Sequence, residues 1–280
     1  MRIEACEATL GATVTDVSLA ALSNREWQAI EQAFLDHAVL IFPGQHLSSD
    51  DQVDFAKRFG PIEHLAAGRE IVPISNVEPD GSMRGPDHPV MHTLLGNEGW
   101  HTDSTYQPVS SLGAVLQAIE VPAEGGETEW ADMRAAYEAL DSDTRTRIAD
   151  LAAHHSIRYS QRRAGFGGEY SGAYGYEVDA APLRPLVKTH PVTGRPALFT
   201  GRHAHDIPGM DPADSERLLD ALLDEACQAP RVISHRWKPG DVVLWDNRCV
   251  LHRARPYDIT QRRVMKHVRI AGDPATESGI

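Results

Sequence analysis

Arg263-Val264-Met265-Lys266-His267-Val268, with Ile270 just beyond, is the stretch on which the reading of the fold turns. Side chains leave a strand on alternate faces, so Arg263, Met265 and His267 share one face and Val264, Val268 and Ile270 the other. An Arg and a His turned towards an interior need an anionic partner there, because a buried unpaired guanidinium is costly. Taken alone, Arg263 fits equally well as a surface residue in the run Gln261-Arg262-Arg263.

The preceding chain is β-rich too. Arg231 to Trp237, Asp241 to Trp245 and Cys249 to Ala254 read as strands, with turns at Lys238-Pro239-Gly240 and Asp246-Asn247. Earlier strands are Val39 to Phe42, Ser111 to Val121, Glu127 to Ala131, Pro185 to His190 and Pro196 to Thr200, with short ones around Gly11. Helices are fewer. Ser23-Asn24-Arg25-Glu26 has capping-box spacing ahead of Trp27, Ile30 and Phe34. Others run from near Ser48 to Gly60, from Asp132 to Leu140, from Ser142 to Leu151 and from Ser215 to Cys227. Residues 78–98, rich in Pro, Gly and Asp, read as a loop. Residues 161–182 hold five glycines and three tyrosines and read as a mobile surface loop, a lid candidate. The fold class this implies is mainly β with inserted helices: a double-stranded β-helix (jelly roll) core in one domain over residues 1–280. Strands and helices do not alternate regularly, so a doubly wound parallel sheet fits poorly.

The charge balance narrows the partners. With 27 Lys+Arg against 40 Asp+Glu, the net charge is −13, and no basic run interrupts it. Nucleic acid and anionic membrane surfaces are therefore poor partners, whereas a small anionic substrate can be held by a local Arg or His pocket. Cys6, Cys227 and Cys249 are too few and too widely spaced for a disulfide framework. Together with the lack of a signal-peptide pattern or a spanning apolar run, they point to a cytoplasmic protein. Homo-oligomer formation is left open.

The chemistry starts at Trp100-His101-Thr102-Asp103-Ser104-Thr105-Tyr106, which the aromatic and β-branched residues mark as a strand. Residues i and i+2 of a strand stand roughly 6.5–7 Å apart on one face. His101 and Asp103 can close that span on an ion bound at about 2.0–2.2 Å. His-x-Asp is common by chance, so a third donor is needed. The candidates are His252 and the His203-Ala204-His205 pair; His154 and His155 are strand neighbours and point to opposite faces. His252 also reads as an ordinary hydrogen-bonded core histidine. A His/Asp/His triad leaves three adjacent positions open, as in Fe(II) oxygenases. A keto acid chelating such an ion needs its far carboxylate gripped by a fork of donors, the task Arg263 is suited to.

The whole chain resembles the taurine dioxygenase family of Fe(II)/2-oxoglutarate-dependent dioxygenases, and within it the aryloxyalkanoate dioxygenases. The stretches that carry this are Leu40 to His46, Trp100 to Tyr106, Asp132 to Tyr137, Pro182 to Lys188, Gly201 to His205 and Trp245 to Arg248. His252 follows Asp103 by 149 residues and Arg263 follows His252 by 11, as the family pattern requires. The resemblance implies iron ligation by His101, Asp103 and His252, and 2-oxoglutarate binding by Thr128 and Arg263. It implies consumption of O2 and release of succinate and CO2. Asn97 matches a substrate-contacting Asn; Ser104 and Arg202, within the matching stretches, join it and His267 as candidate substrate-binding residues. His267 stands where taurine dioxygenase carries an Arg for the sulfonate, and the family's taurine-contacting His and Tyr near residues 64–75 have no recognisable counterpart. A carboxylate with an aromatic or apolar tail is therefore the expected substrate, with ether cleavage to a phenol. Sulfonates or sulfate esters under the same chemistry are the alternative. A metal-dependent hydrolase using an activated water leaves Thr128 and Arg263 without a task, and a non-catalytic jelly-roll binding protein has no use for the ligand set.

Overall fold

The structure, a computed structural model, describes residues 1–64, 68–166, 176, 178 and 180–280. Much of the expected lid at 161–182 therefore lies outside the described residues.

Two sheets enclose the site. The larger runs in the order Arg2–Ala5, Ala12–Thr15, Val39–Phe42, Val242–Asp246, Gly113–Glu120, Val264–Ile270, Val72–Ser75. Its neighbours are antiparallel except for Ala12–Thr15 against Val39–Phe42. The smaller places Thr128–Asp132 between Val232–His235 and Val250–Ala254. This is the jelly-roll arrangement expected from the strand pattern.

Period-two alternation sorts side chains into two cores. Ile41, Leu116, Val243, Trp245 and Met265 of the larger sheet pack with Trp130, Ala131, Ile233 and Leu251 of the smaller, filling the space between them. On the outer face, Leu40, Phe42, Val115, Leu244, Val268 and Ile270 pack beneath two helices, Asn24–His37 and Ser49–Lys57, through Ile30, Phe34, Val53 and Phe55. Burying one such side chain contributes about 1.5–3 kcal/mol. A one-residue slip would exchange the two faces, so register is fixed on both sides. It is this register that turns Arg263 and His267 inward with Met265. Ser23 opens the first helix with a complete capping box, its hydroxyl accepting from the Glu26 N–H at 3.3 Å while Glu26 Oε2 accepts from the Ser23 N–H at 2.9 Å.

Two local readings change. Residues 78–98 are not loop throughout: Pro89–Gly96 is a helix, with the His88 ring accepting from the Val90 N–H and Pro89 at its start. Proline is pre-organised for the first helical turn, and Met91, Leu94 and Leu95 supply an apolar side that the Pro and Gly content hid. The expected strand at Trp100–Tyr106 is a single bridge, His101 to His252, followed by a turn in which Ser104 adopts φ 56°. Among the described residues no helix is long and apolar enough to cross a membrane.

Candidate active site

His101 and His252 are brought together by their backbones. The His101 N–H donates to the His252 carbonyl at 3.0 Å and the His252 N–H to the His101 carbonyl at 2.8 Å. Directly paired residues of this kind put their side chains beside each other, and the two ring centroids are 4.2 Å apart. The turn after His101 then swings Asp103 back, so that Oδ2 lies 3.7 Å from His252 Nε2. One ligand atom from each of His101, Asp103 and His252 lies within 4.8 Å of the others, all three buried. His101 Nδ1 donates to the Gly99 carbonyl at 2.8 Å, which leaves the Nε2 lone pair for an ion.

Protonation suits ligation. Burial drives His101 well below its ordinary pKa and brings His252 down to about 4, despite the opposing pull of Asp103. Burial alone would raise Asp103, but Arg269 foremost, then His252 and His267, hold its carboxyl well below the usual range. Two neutral imidazoles and a carboxylate fit a divalent transition metal such as Fe(II).

A second buried grouping, His190, Asp246 and Cys249, does not suit an ion. His190 Nδ1 accepts from the Val192 and Thr193 N–H groups at 3.2 and 3.1 Å, so Nε2 carries the proton it donates to Asp246 Oδ2 at 3.0 Å. Asp246 is further clamped by Arg248 on both oxygens, at 2.8 and 2.6 Å. Nor do His203 and His205 form a clasp. His203 pairs with Ser160 Oγ at 2.8 Å and stands edge-on to His101, while His205 stacks on Tyr159 and pairs with Asp206.

The cavity above the triad is also lined by Asn97, Thr128, Arg263, His267 and Arg269. Arg263 is buried with its Nε unpartnered; Nη2 donates to the Gly126 carbonyl at 3.2 Å, and no carboxylate among the described residues pairs with it. A Cβ at Gly126, where φ is 70°, would sit 3.2 Å from that Nε, so the glycine clears the guanidinium's space. Thr128 Oγ1 accepts from Trp237 Nε1 at 2.9 Å. An indole only donates, so the Thr128 hydroxyl keeps its proton to give to an anion. A buried cation without an acid, next to a free hydroxyl, fits the far carboxylate of a keto acid.

Asn97 ends the Pro89–Gly96 helix and is tied to the site by the Ala254 N–H, which donates to its carbonyl at 2.9 Å. The His267 ring stacks on Trp245 (5.7 Å, 9°), and both its nitrogens are buried without a hydrogen-bond partner. Ser104 and Arg202 do not reach the cavity lining. Ser104 lies behind Asp103, donating to Glu63 at 2.8 Å. Arg202 is held against the back of the Pro89–Gly96 helix by the Gly96 carbonyl and by Gln161 Oε1. Sequence reasoning missed Arg269 and the helix face of Met91, Leu94 and Leu95, all of which line the cavity. One further step of the alternation from His267 would have reached Arg269.

Comparison with known proteins agrees with this geometry. Residues 2–269 match the family described as taurine catabolism dioxygenase TauD, TfdA family. An (S)-phenoxypropionate/alpha-ketoglutarate-dioxygenase of Sphingobium herbicidovorans is 54% identical over 98% of this chain and 96% of its own. An alpha-ketoglutarate-dependent 2,4-dichlorophenoxyacetate dioxygenase of Cupriavidus pinatubonensis is 40% identical over 94% of each chain. The crystal structure of AAD-2 in complex with Mn(II) and N-oxalylglycine superimposes with a TM-score of 0.91 and 35% identity, each chain covered in full. With its jelly roll, its His/Asp/His grouping and a match along nearly all of its length, the chain belongs to the TauD/TfdA family of dioxygenases.

Proposed function

We propose that this protein is an Fe(II)- and 2-oxoglutarate-dependent dioxygenase acting on an aryloxyalkanoate. It hydroxylates the carbon next to the ether oxygen, and the resulting hemiacetal collapses to a phenol and a keto acid or glyoxylate. The observation that carries this is Arg263, a buried guanidinium with no acidic partner among the described residues, facing the same cavity as the triad. A hydrolase leaves that charge unexplained.

Bound iron supplies the oxidation, with O2 and 2-oxoglutarate yielding the hydroxylated product, succinate and CO2. His101, Asp103 and His252 hold the ion; Arg263 and Thr128 grip the far carboxylate of the cosubstrate. Ile74, Met91, Leu94, Leu95, Leu116 and Ile259 make an apolar wall suited to an aromatic ring. Asn97 and His267 offer donors to the substrate's polar end. The relatives named for phenoxypropionate and 2,4-dichlorophenoxyacetate support the substrate class. Residues 1–280 act as one dioxygenase domain. The unpaired cysteines fit a reducing compartment such as the cytoplasm.

Succinate release across phenoxyacetate, both phenoxypropionate enantiomers, taurine and alkyl sulfates tests the reading. Turnover coupled to aryloxyalkanoates supports it. Turnover with taurine or alkyl sulfates alone would transfer the site to sulfur oxyanions.

A further inference from the structure

Asp103 is held differently at its two oxygens. Arg269 Nη2 donates to Oδ1 at 2.8 Å, whereas Oδ2 faces His252 Nε2 and His267 Nε2, each at 3.7 Å. Asn247 Nδ2 stands 3.4 Å from that same Oδ2. Arg269 is anchored in turn: Nη1 donates to Ser104 Oγ at 3.1 Å, and Ser104 Oγ donates to Glu63 at 2.8 and 3.1 Å. Ser104 presents its hydroxyl there from a left-handed backbone, φ 56°, a conformation that residues with side chains rarely adopt. The Glu63 N–H also donates to the Arg269 carbonyl at 2.9 Å, so one end of the brace is fixed to the strand that carries the arginine.

We infer that Arg269 is a positioning residue: the Glu63–Ser104–Arg269 brace occupies Oδ1 and keeps Asp103 a one-oxygen ligand. The inference rests on the metal site proposed above and deepens it. A six-coordinate ion with three protein donors keeps about three positions free, two for a chelating keto acid and one for O2. An Asp that turned both oxygens to the ion would take one of them. A guanidinium is suited to prevent this, because its planar fork fixes the direction of each hydrogen bond. The same brace assigns Ser104 a task although it does not reach the cavity.

The test uses Mn(II)-loaded protein without substrate, so that any contact of Arg269 with substrate cannot contribute. Broadening of the Mn(II) EPR signal in 17O-water counts the water ligands, and titration gives the 2-oxoglutarate Kd. The wild type is expected to show about three waters and Arg269→Met about two. The 2-oxoglutarate Kd is expected to rise roughly tenfold to a hundredfold, with Mn(II) affinity not reduced in proportion. Arg269→Lys keeps the charge but not the fork and is expected to behave like Arg269→Met. Ser104→Ala leaves Arg269 in place but removes its hydroxyl link to Glu63, and is expected to weaken 2-oxoglutarate in the same direction; it carries the test if Arg269→Met fails to fold. An unchanged water count and Kd in the folded variants would overturn the brace. Failure of wild-type protein to bind Mn(II) would instead overturn the metal site itself.

Discussion

His101 and His252 exchange both of their backbone hydrogen bonds, at 3.0 and 2.8 Å, and are also the two imidazoles of the metal grouping. The larger part of the site's geometry is therefore set by one bridge between segments 151 residues apart, which adds an edge to the smaller sheet. Asp103 completes the grouping from the turn that follows.

Replacing Asp103 removes the only carboxylate of the triad. Asp103→Ala is expected to abolish 2-oxoglutarate-dependent succinate release and the rise in Tm on adding Fe(II) or Mn(II). Retained turnover would remove Asp103 from the metal site.

Arg263 should trade stability for cosubstrate binding. Charge-assisted hydrogen bonds are worth about 1.5–3 kcal/mol, so Arg263→Met is expected to raise the 2-oxoglutarate requirement roughly tenfold to a hundredfold. Metal affinity should not change. In the absence of 2-oxoglutarate, Tm should hold or rise, because the variant no longer buries an unpaired guanidinium. A lower Tm with an unaltered cosubstrate requirement would make Arg263 a structural residue.

The metal-free protein should lose stability in mild acid. His252 and His267 are pushed down to about 4 by burial, below the ordinary histidine value near 6.5. The folded state then binds fewer protons than the unfolded chain between roughly pH 4 and 6.5, so stability falls as pH falls through that window. Tm measured from pH 7 to 4.5 should decline, less steeply in His267→Gln. Added metal should raise Tm more at pH 7 than at pH 5, because protons compete for the ligands. A decline equally steep in His267→Gln would assign the acid sensitivity to other groups.

The Pro89–Gly96 helix should govern the aryl tail. Leu94→Ala is expected to raise KM for aryloxyalkanoates by roughly tenfold, the worth of a few methylenes in an apolar pocket, and to leave the 2-oxoglutarate requirement unchanged. Steady-state kinetics with each substrate varied in turn checks this; equal changes in both constants would place Leu94 elsewhere in function.

Period-two patterning made the inward face of Val264–Ile270 readable, because alternation depends only on the strand's own geometry. The Ser23 cap was readable for the same local reason. What escaped depends on meetings across the chain. The pairing of Arg269 with Asp103 joins residues 166 apart, and neither segment names the other. The Pro89–Gly96 helix was hidden by its Pro- and Gly-rich surroundings, and the turn at Ser104 by its β-favouring neighbours. Ser104 shares its stretch with the lining residues His101 and Asp103, and Arg202 sits in a matching stretch that contributes none; their side chains run to Glu63 and Gly96. Position along a matching stretch does not say which way a side chain turns.

The central claim, a His101/Asp103/His252 iron site that 2-oxoglutarate chelates, is tested most directly by anaerobic visible spectroscopy. Adding Fe(II) and then 2-oxoglutarate to wild-type protein should produce a weak metal-to-ligand charge-transfer band. It should be absent in Asp103→Ala and need more 2-oxoglutarate in Arg263→Met. No band in wild-type protein saturated with both would contradict the account.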